Sequence, residues 1–200
     1  MIAIPSLVGS LEKKASKSKL FIHVYGHCYK EVVKKEAILA KITSEDRVLN
    51  IGCGGIPYTA FQIVKQTGAK VWAVDNDPKA AEAADFCVSN MNMQDQIIID
   101  CLDGAGKIPY PFDVAIVALQ AEPKKDILYS LMNQGKAKGR LVFRKPREKV
   151  LHLYDDLPEE LSPEGYTIQD KTTFGSSVLY RVHKDIEKGK SESRMNRNRR

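Results

Sequence analysis

Val48-Leu49-Asn50-Ile51-Gly52-Cys53-Gly54-Gly55-Ile56-Pro57 joins a short apolar run to a cluster of glycines. The run follows the charged Glu45-Asp46-Arg47 and has the length and composition of a buried strand. Glycine admits positive φ and lets a ligand approach the backbone closely. Pro57 stands where a helix can begin, because proline is favoured at the first helical position. Thr59 to Gln66 continues that helix, and Gly68 follows it, as glycine often does just past a helix end. Strand, glycine turn and helix together form the entry unit of an open parallel sheet. In such sheets ligands bind beyond the C-terminal ends of the strands.

The pattern repeats downstream. Val71-Trp72-Ala73-Val74 reads as a second strand, and Asp77-Pro78 as the N-cap and first-turn proline of a helix from Lys79 to Ser89. Ile97 to Ile99, Phe112 to Ala118 and Arg140 to Arg144 read as three more strands, with a helix over Pro123 to Gln134. Tyr166-Thr167-Ile168 and Ser177 to Val182 alternate more and read as a closing hairpin. Upstream, Tyr29 to Ile42 places Val32, Val33, Ala37, Ile38 and Leu39 at helical spacing. Leu7 to Lys19 reads as a basic, weakly amphipathic helix. This alternation predicts an α/β, Rossmann-like fold: a mostly parallel twisted sheet, helices on both faces and right-handed crossovers. The expected divisions are a helical N-terminal extension over 1–45, a nucleoside-binding domain over 46–183 and a basic tail over 184–200.

The 200 residues suffice for one full-sized domain. With 43% hydrophobic and 28% charged residues the composition is that of a globular protein. No apolar run reaches the roughly 18–20 residues of a bilayer span, and the start lacks the pattern of a signal peptide. A cytoplasmic chain with no membrane partner is expected. Cys28, Cys53, Cys87 and Cys101 are scattered, without a Cys-x-x-Cys pair, which fits reduced thiols. The net charge is +6, and Lys184 to Arg200 holds seven basic and three acidic residues. That stretch has too little apolar surface to offset chain entropy, so it reads as a solvated tail rather than a nucleic-acid-binding arm.

Asp75 closes the second strand, 21 residues after Gly54. A carboxylate there can accept hydrogen bonds from both hydroxyls of a ribose. The dinucleotide fingerprint requires a third glycine three positions after its second, for the pyrophosphate and for helix packing. Here that position is Pro57, which speaks against NAD and FAD. It suits S-adenosylmethionine, which has no pyrophosphate. Its methionine part would lie against Gly52, Cys53, Gly54 and Gly55, its ribose at Asp75 and Asn76, with Ala118 at the end of the fourth strand.

Other candidates sit at the same edge. Glu122, just after the fourth strand, could orient an amine or take its proton; the plainer reading is a glutamate favoured by a helix N-terminus. Tyr25, Tyr29 and Tyr58 could line the acceptor site or simply pack. His23 and His27 have i, i+4 spacing beside Cys28, but no third ligand matches them, so no metal site is expected. Cys53 reads as a small apolar residue. The expected partner is a small-molecule acceptor, with a homodimer possible through the N-terminal helices. A nucleoside- or RNA-associated protein without catalysis is the reading from another class.

With these residues in place, the chain resembles class I S-adenosylmethionine-dependent methyltransferases, and within them nicotianamine synthase-like proteins. Ile51 to Thr59 is similar to that family's Gly-x-Gly-Pro-Leu-Pro-Leu-Thr turn. Phe112-Asp113-Val114 through Val117-Ala118, then Ala121-Glu122-Pro123-Lys124, is similar to its fourth strand and turn. Arg140 and Arg144 match its fifth strand, and Ser176-Ser177-Val178-Leu179 its last. The similarity runs from about residue 25 to 183. It implies that Asp103 faces the adenine amino group, although a turn aspartate beside Gly104 fits as well. It implies that the segment around Tyr25 lines the active site. Nicotianamine synthases move the aminocarboxypropyl group rather than the methyl group. Their additional N-terminal helical domain, understood to supply a catalytic glutamate, has no counterpart in the roughly 45 residues before the first strand. Methyl transfer is therefore the expected reaction and aminocarboxypropyl transfer the alternative.

Overall fold

The computed structural model describes residues 19–169, 171 and 174–183, and for residues 19–28 the backbone alone. The elements run α1 (Lys19–Leu39), β1 (Arg47–Ile51), α2 (Tyr58–Thr67), β2 (Lys70–Asp75), α3 (Pro78–Asn90), β3 (Ile97–Cys101), β4 (Val114–Val117), α4 (Lys124–Gln134), β5 (Arg140–Pro146), a 3-10 helix (Glu148–Leu153), β6 (Gly165–Ile168) and β7 (Phe174–Arg181). The helix expected over Leu7 to Lys19 and the basic tail lie outside the described residues, apart from Lys19.

The seven strands form one sheet in the order β3-β2-β1-β4-β5-β7-β6. β1 pairs in parallel with β2 on one side and β4 on the other, so the strand order reverses between β1 and β4. β7 runs antiparallel to both β5 and β6. The closing pair is thus a hairpin in which the later strand lies inside the sheet and β6 takes the edge.

Alternation along β1 sends Val48 to one apolar cluster and Leu49 to another. The first cluster carries α1, α2 and α3, through residues such as Val33, Phe61, Ile63 and Val88. The second carries α4, through Ile127, Leu128 and Leu131. Each buried Val, Leu or Ile stabilises this arrangement by about 1.5–3 kcal/mol relative to exposure. α1 belongs to the same core as β1, and it begins ten residues before the start that apolar spacing indicates. The helix ends follow sequence chemistry: Gly68 adopts φ +75° and donates to the Val64 carbonyl, while the Asp77 side chain accepts from Lys79 N at 2.9 Å.

The regular alternation fails once. Residues 102–113, between β3 and β4, contain no helix. Tyr110 from this connection stacks on Trp72 at 4.8 Å, and its hydroxyl donates to Asp100. An aromatic pair with an anchored hydroxyl covers part of the face that a crossover helix would otherwise cover.

Candidate functional site

The glycine turn emerges from β1 at the switch point of the sheet. Gly52 has φ +72° and Gly54 φ +67°, both in the left-handed region that disfavours a Cβ. Gly52 N and Cys53 N both donate to the Val74 carbonyl, which holds the turn against the end of β2. On the β4 side, Ala118 N donates to the Ile51 carbonyl at 3.0 Å. A Cβ on Gly52 would stand 3.1 Å from that of Ala118 and 3.2 Å from that of Ala121. Gly52→Ala therefore combines left-handed strain with overpacking and is expected to cost about 2–4 kcal/mol. Urea unfolding checks the cost, and an unchanged midpoint would contradict it.

Asp75 braces the same turn from β2. Its Oδ2 accepts from Gly54 N at 2.8 Å and its Oδ1 from Asp77 N at 3.1 Å. An ionised carboxylate has about four acceptor positions, so one remains open on each oxygen. The residue is partly exposed and Asn76 beside it is exposed. An approachable glycine backbone next to a carboxylate with spare lone pairs fits a ribose-bearing ligand. The N-terminus of α2 follows directly, with Pro57 at its cap and no side chain capping it. Its free N–H groups suit an anion such as a carboxylate. Asp103 lies beyond β3 in a turn, where its Oδ1 accepts from Ala105 N at 2.9 Å. Cys53 is buried, in keeping with a small apolar role.

A second constellation lies beneath the same edge, on the face of α1 and α2. Tyr29 and Tyr58 stack at 5.7 Å, so two of the three candidate tyrosines meet. Tyr25 lies on α1, where only the backbone is described. Arg144, within β5, sits 5.7 Å from the Tyr29 ring and 5.5 Å from the Phe174 ring. Its Nε and Nη2 each donate to Glu36 at 2.8 Å, and Nη2 also reaches Thr59 Oγ1 at 3.0 Å. Ser177 Oγ donates to Glu36 Oε1 at 2.7 Å. Burial alone would lower the Arg144 pKa, but the Glu36 carboxylate raises it above its ordinary value, so the guanidinium stays charged.

The turn after β4 is fastened from inside. Lys124 is 1% exposed, and its Nζ donates to the carbonyls of Leu119 at 2.6 Å and Ala121 at 3.5 Å. Burial pushes its pKa down, while Glu122, Asp155 and Asp156 pull it back up. Glu122 lies 3.9 Å from that ammonium, and its Oε1 accepts from Asp155 N at 3.0 Å. The carboxylate thus ties the turn to the segment after the 3-10 helix, yet remains 41% exposed.

The structure brings Gly52, Cys53, Gly54, Gly55, Asp75, Asn76 and Ala118 to one edge, with Asp103 and Glu122 on neighbouring turns. Glu36 is absent from the sequence-derived candidates, and Lys124 and Arg144 enter there only through their family match. One signal was available: an arginine closing the apolar Leu141-Val142-Phe143 demands a buried partner. Among the described residues, no three His, Cys, Asp or Glu side chains converge as a metal site would require. No described helix is long and apolar enough to cross a membrane.

Known proteins resemble this chain in sequence and in fold. The model of the protein-L-isoaspartate (D-aspartate) O-methyltransferase family matches residues 30–158, more than half of the chain. L-histidine 2-aminobutanoyltransferase of Yersinia pestis is 28% identical over 117 residues, covering 58% of this chain and 43% of its own. The mitochondrial ubiquinone biosynthesis O-methyltransferase of Schizosaccharomyces pombe is 35% identical over 106 residues, 50% of this chain and 38% of its own. The chain therefore spans less than half the length of either relative. Among solved structures, the nicotianamine synthase MtNAS in complex with MTA and tNA superposes with a TM-score of 0.77 at 21% identity, covering 90% of this chain and 71% of that one. An RNA methyltransferase from Salinibacter ruber in complex with S-adenosyl-L-homocysteine gives 0.64 at 13% identity, covering 78% and 93%. At these identities the superpositions establish the class I methyltransferase fold.

Proposed function

The chain belongs to the protein-L-isoaspartate (D-aspartate) O-methyltransferase family; from that membership we propose that it is an S-adenosylmethionine-dependent methyltransferase, and we infer separately that its acceptor is a small molecule. The observation that carries the donor is the meeting of Gly52, Gly54 and Asp75 at the switch point of the sheet. When bound, S-adenosylmethionine supplies an electrophilic carbon on a sulfonium. The open lone pairs of Asp75 take the ribose hydroxyls, with Asn76 alongside. The uncapped start of α2, reached past Cys53 and Gly55, takes the donor's carboxylate. Asp103 serves the adenine edge, and Ala118 walls the β4 side.

Methyl transfer needs an aligned nucleophile, exclusion of water and a destination for the acceptor proton. Tyr29 and Tyr58 line the acceptor side. Glu122, still partly exposed, receives the proton. Glu36 is unsuited to that task, because Arg144 engages both its oxygens and Ser177 adds a third bond. A locked carboxylate favours methyl transfer over a reaction that relies on a glutamate from the N-terminal helices.

Transfer of a 3-amino-3-carboxypropyl group is the second reading. The resemblance of Gly52 to Thr59 to the nicotianamine synthase turn supports it, as does the aminobutanoyl transfer named for the Yersinia pestis relative. Product analysis separates the two. Incubation with methyl-labelled donor and a panel of amines, phenols and amino acids is expected to yield S-adenosylhomocysteine and labelled acceptor. Methylthioadenosine as the sole nucleoside product would replace the first reading by the second.

A further inference from the structure

The segment that follows β5 runs along the ligand edge of the sheet. Its 3-10 helix, Glu148–Leu153, contains no buried residue, and Leu151 and Leu153 are 40% and 55% exposed. Among the described residues, its hydrogen bonds reach no further than Arg147 and Tyr154. Val150 N donates to the Arg147 carbonyl, and Tyr154 N to the Leu151 carbonyl. A single exposed leucine is ordinary on a protein surface. Here two share a helix that buries none of its own side chains.

Both ends of that helix are fastened. Before it, Arg147 Nε donates to the Lys171 carbonyl at 2.5 Å, and a Cβ on Gly175 would stand 3.0 Å from Arg147 Cγ. After it, Tyr154 packs with Val32, Leu119 and Phe174. Asp155 N donates to Glu122 Oε1 at 3.0 Å, and Asp156 lies 3.6 Å from Lys145 Nζ. Glu122 directly follows Ala121, whose Cβ would stand 3.2 Å from a Cβ on Gly52. The second tether therefore sits beside the wall of the glycine turn. β4 alone separates β5 from β1, a distance of two strand spacings or about 10 Å. Six residues of 3-10 helix are about 12 Å long, enough to reach from one to the other.

Lids come from the least stable end of a structure, where few side chains are buried and few hydrogen bonds reach the rest of the fold. Firm tethers on either side confine movement to the helix between them. Transfer from a sulfonium gains from exclusion of water. Yet Asp75 is partly exposed and Asn76 exposed.

We propose that Glu148–Leu153 is a lid that closes over bound S-adenosylmethionine, hinged at Arg147 and Asp155, with Leu151 and Leu153 supplying its apolar contact. Closure rests on the donor seat at Gly52, Gly54 and Asp75 and is independent of which group is transferred.

Hydrogen exchange of the full chain, with and without S-adenosylmethionine, tests the lid, alongside the double variant Leu151→Ser/Leu153→Ser. Calorimetry with the same ligand reports the donor seat separately. Amides of residues 148–153 are expected to exchange more slowly with ligand bound, by about tenfold or more, while those of β6 at the far edge stay unchanged. The variant is expected to keep its Tm within about 2 °C, because both side chains are exposed. Its association rate with the ligand stays the same, release becomes about fivefold faster or more, and protection of 148–153 is lost. Failure to bind S-adenosylmethionine overturns the lid together with the donor seat. Binding without protection of 148–153 overturns the lid alone, and so does equal protection or equal release in the variant. Protection that appears without ligand and grows with protein concentration assigns the leucines to a second copy of the chain and overturns the lid as well.

Discussion

Replacement of Glu36 by alanine is expected to lower stability by about 3–5 kcal/mol, because it leaves the Arg144 charge buried without a partner. Arg144 is 4% exposed and its pKa is raised, so it cannot escape the cost by losing its proton. Three short hydrogen bonds end on the Glu36 carboxylate: two from Arg144 and one from Ser177. Deleting their acceptor orphans every donor at once. For a domain of this size the loss corresponds to a fall in Tm of roughly 10 °C. The double substitution Glu36→Leu/Arg144→Met removes both charges and is expected to recover most of the loss. Chemical and thermal unfolding of the parent and both variants measures the difference. A single-variant cost below about 1 kcal/mol would show that water reaches the guanidinium and that the network is not closed.

Replacement of Asp75 by alanine is expected to weaken S-adenosylmethionine binding by about 100-fold. Two charge-assisted hydrogen bonds to the ribose, each lost at about 1.5 kcal/mol or more, account for that factor. The same substitution releases Gly54 N from its 2.8 Å bond and loosens the turn. Asparagine at this position keeps one acceptor oxygen and is expected to fall between the two. Because Asp75 is partly exposed, stability should change by less than binding. Calorimetric titration of the three proteins with the donor gives the order. Equal affinities in the parent and the Asp75→Ala variant would remove the ribose from this carboxylate and reopen the choice of ligand.

Much of the glycine-turn edge was legible because its signals are local. A positive-φ turn asks for glycine at Gly52 and Gly54 whatever surrounds it. A carboxylate closing the second strand must emerge at the same edge, since parallel strands end together. Pro78 and Gly68 mark helix boundaries by their own chemistry. The buried cluster around Arg144 was less legible because its partners are distant in the chain. Glu36 and Arg144 are 108 residues apart and Ser177 lies farther still. Only the antiparallel insertion of β7 beside β5 puts Ser177 opposite Arg144. Lys124 was visible only as part of the matched turn after the fourth strand; its burial depends on how that turn folds over it.

Sequence alone determined the alternation of strands and helices, the glycine turn and the spacing to Asp75, because each follows from backbone preference or apolar periodicity within a few residues. Tertiary structure decided which polar groups are buried together. It placed a charged pair under the tyrosines and engaged both oxygens of Glu36 with Arg144. Those outcomes depend on strand order and register, which bring together residues 108 positions apart. The free energy of a buried charge is set by those neighbours, and local sequence cannot express it.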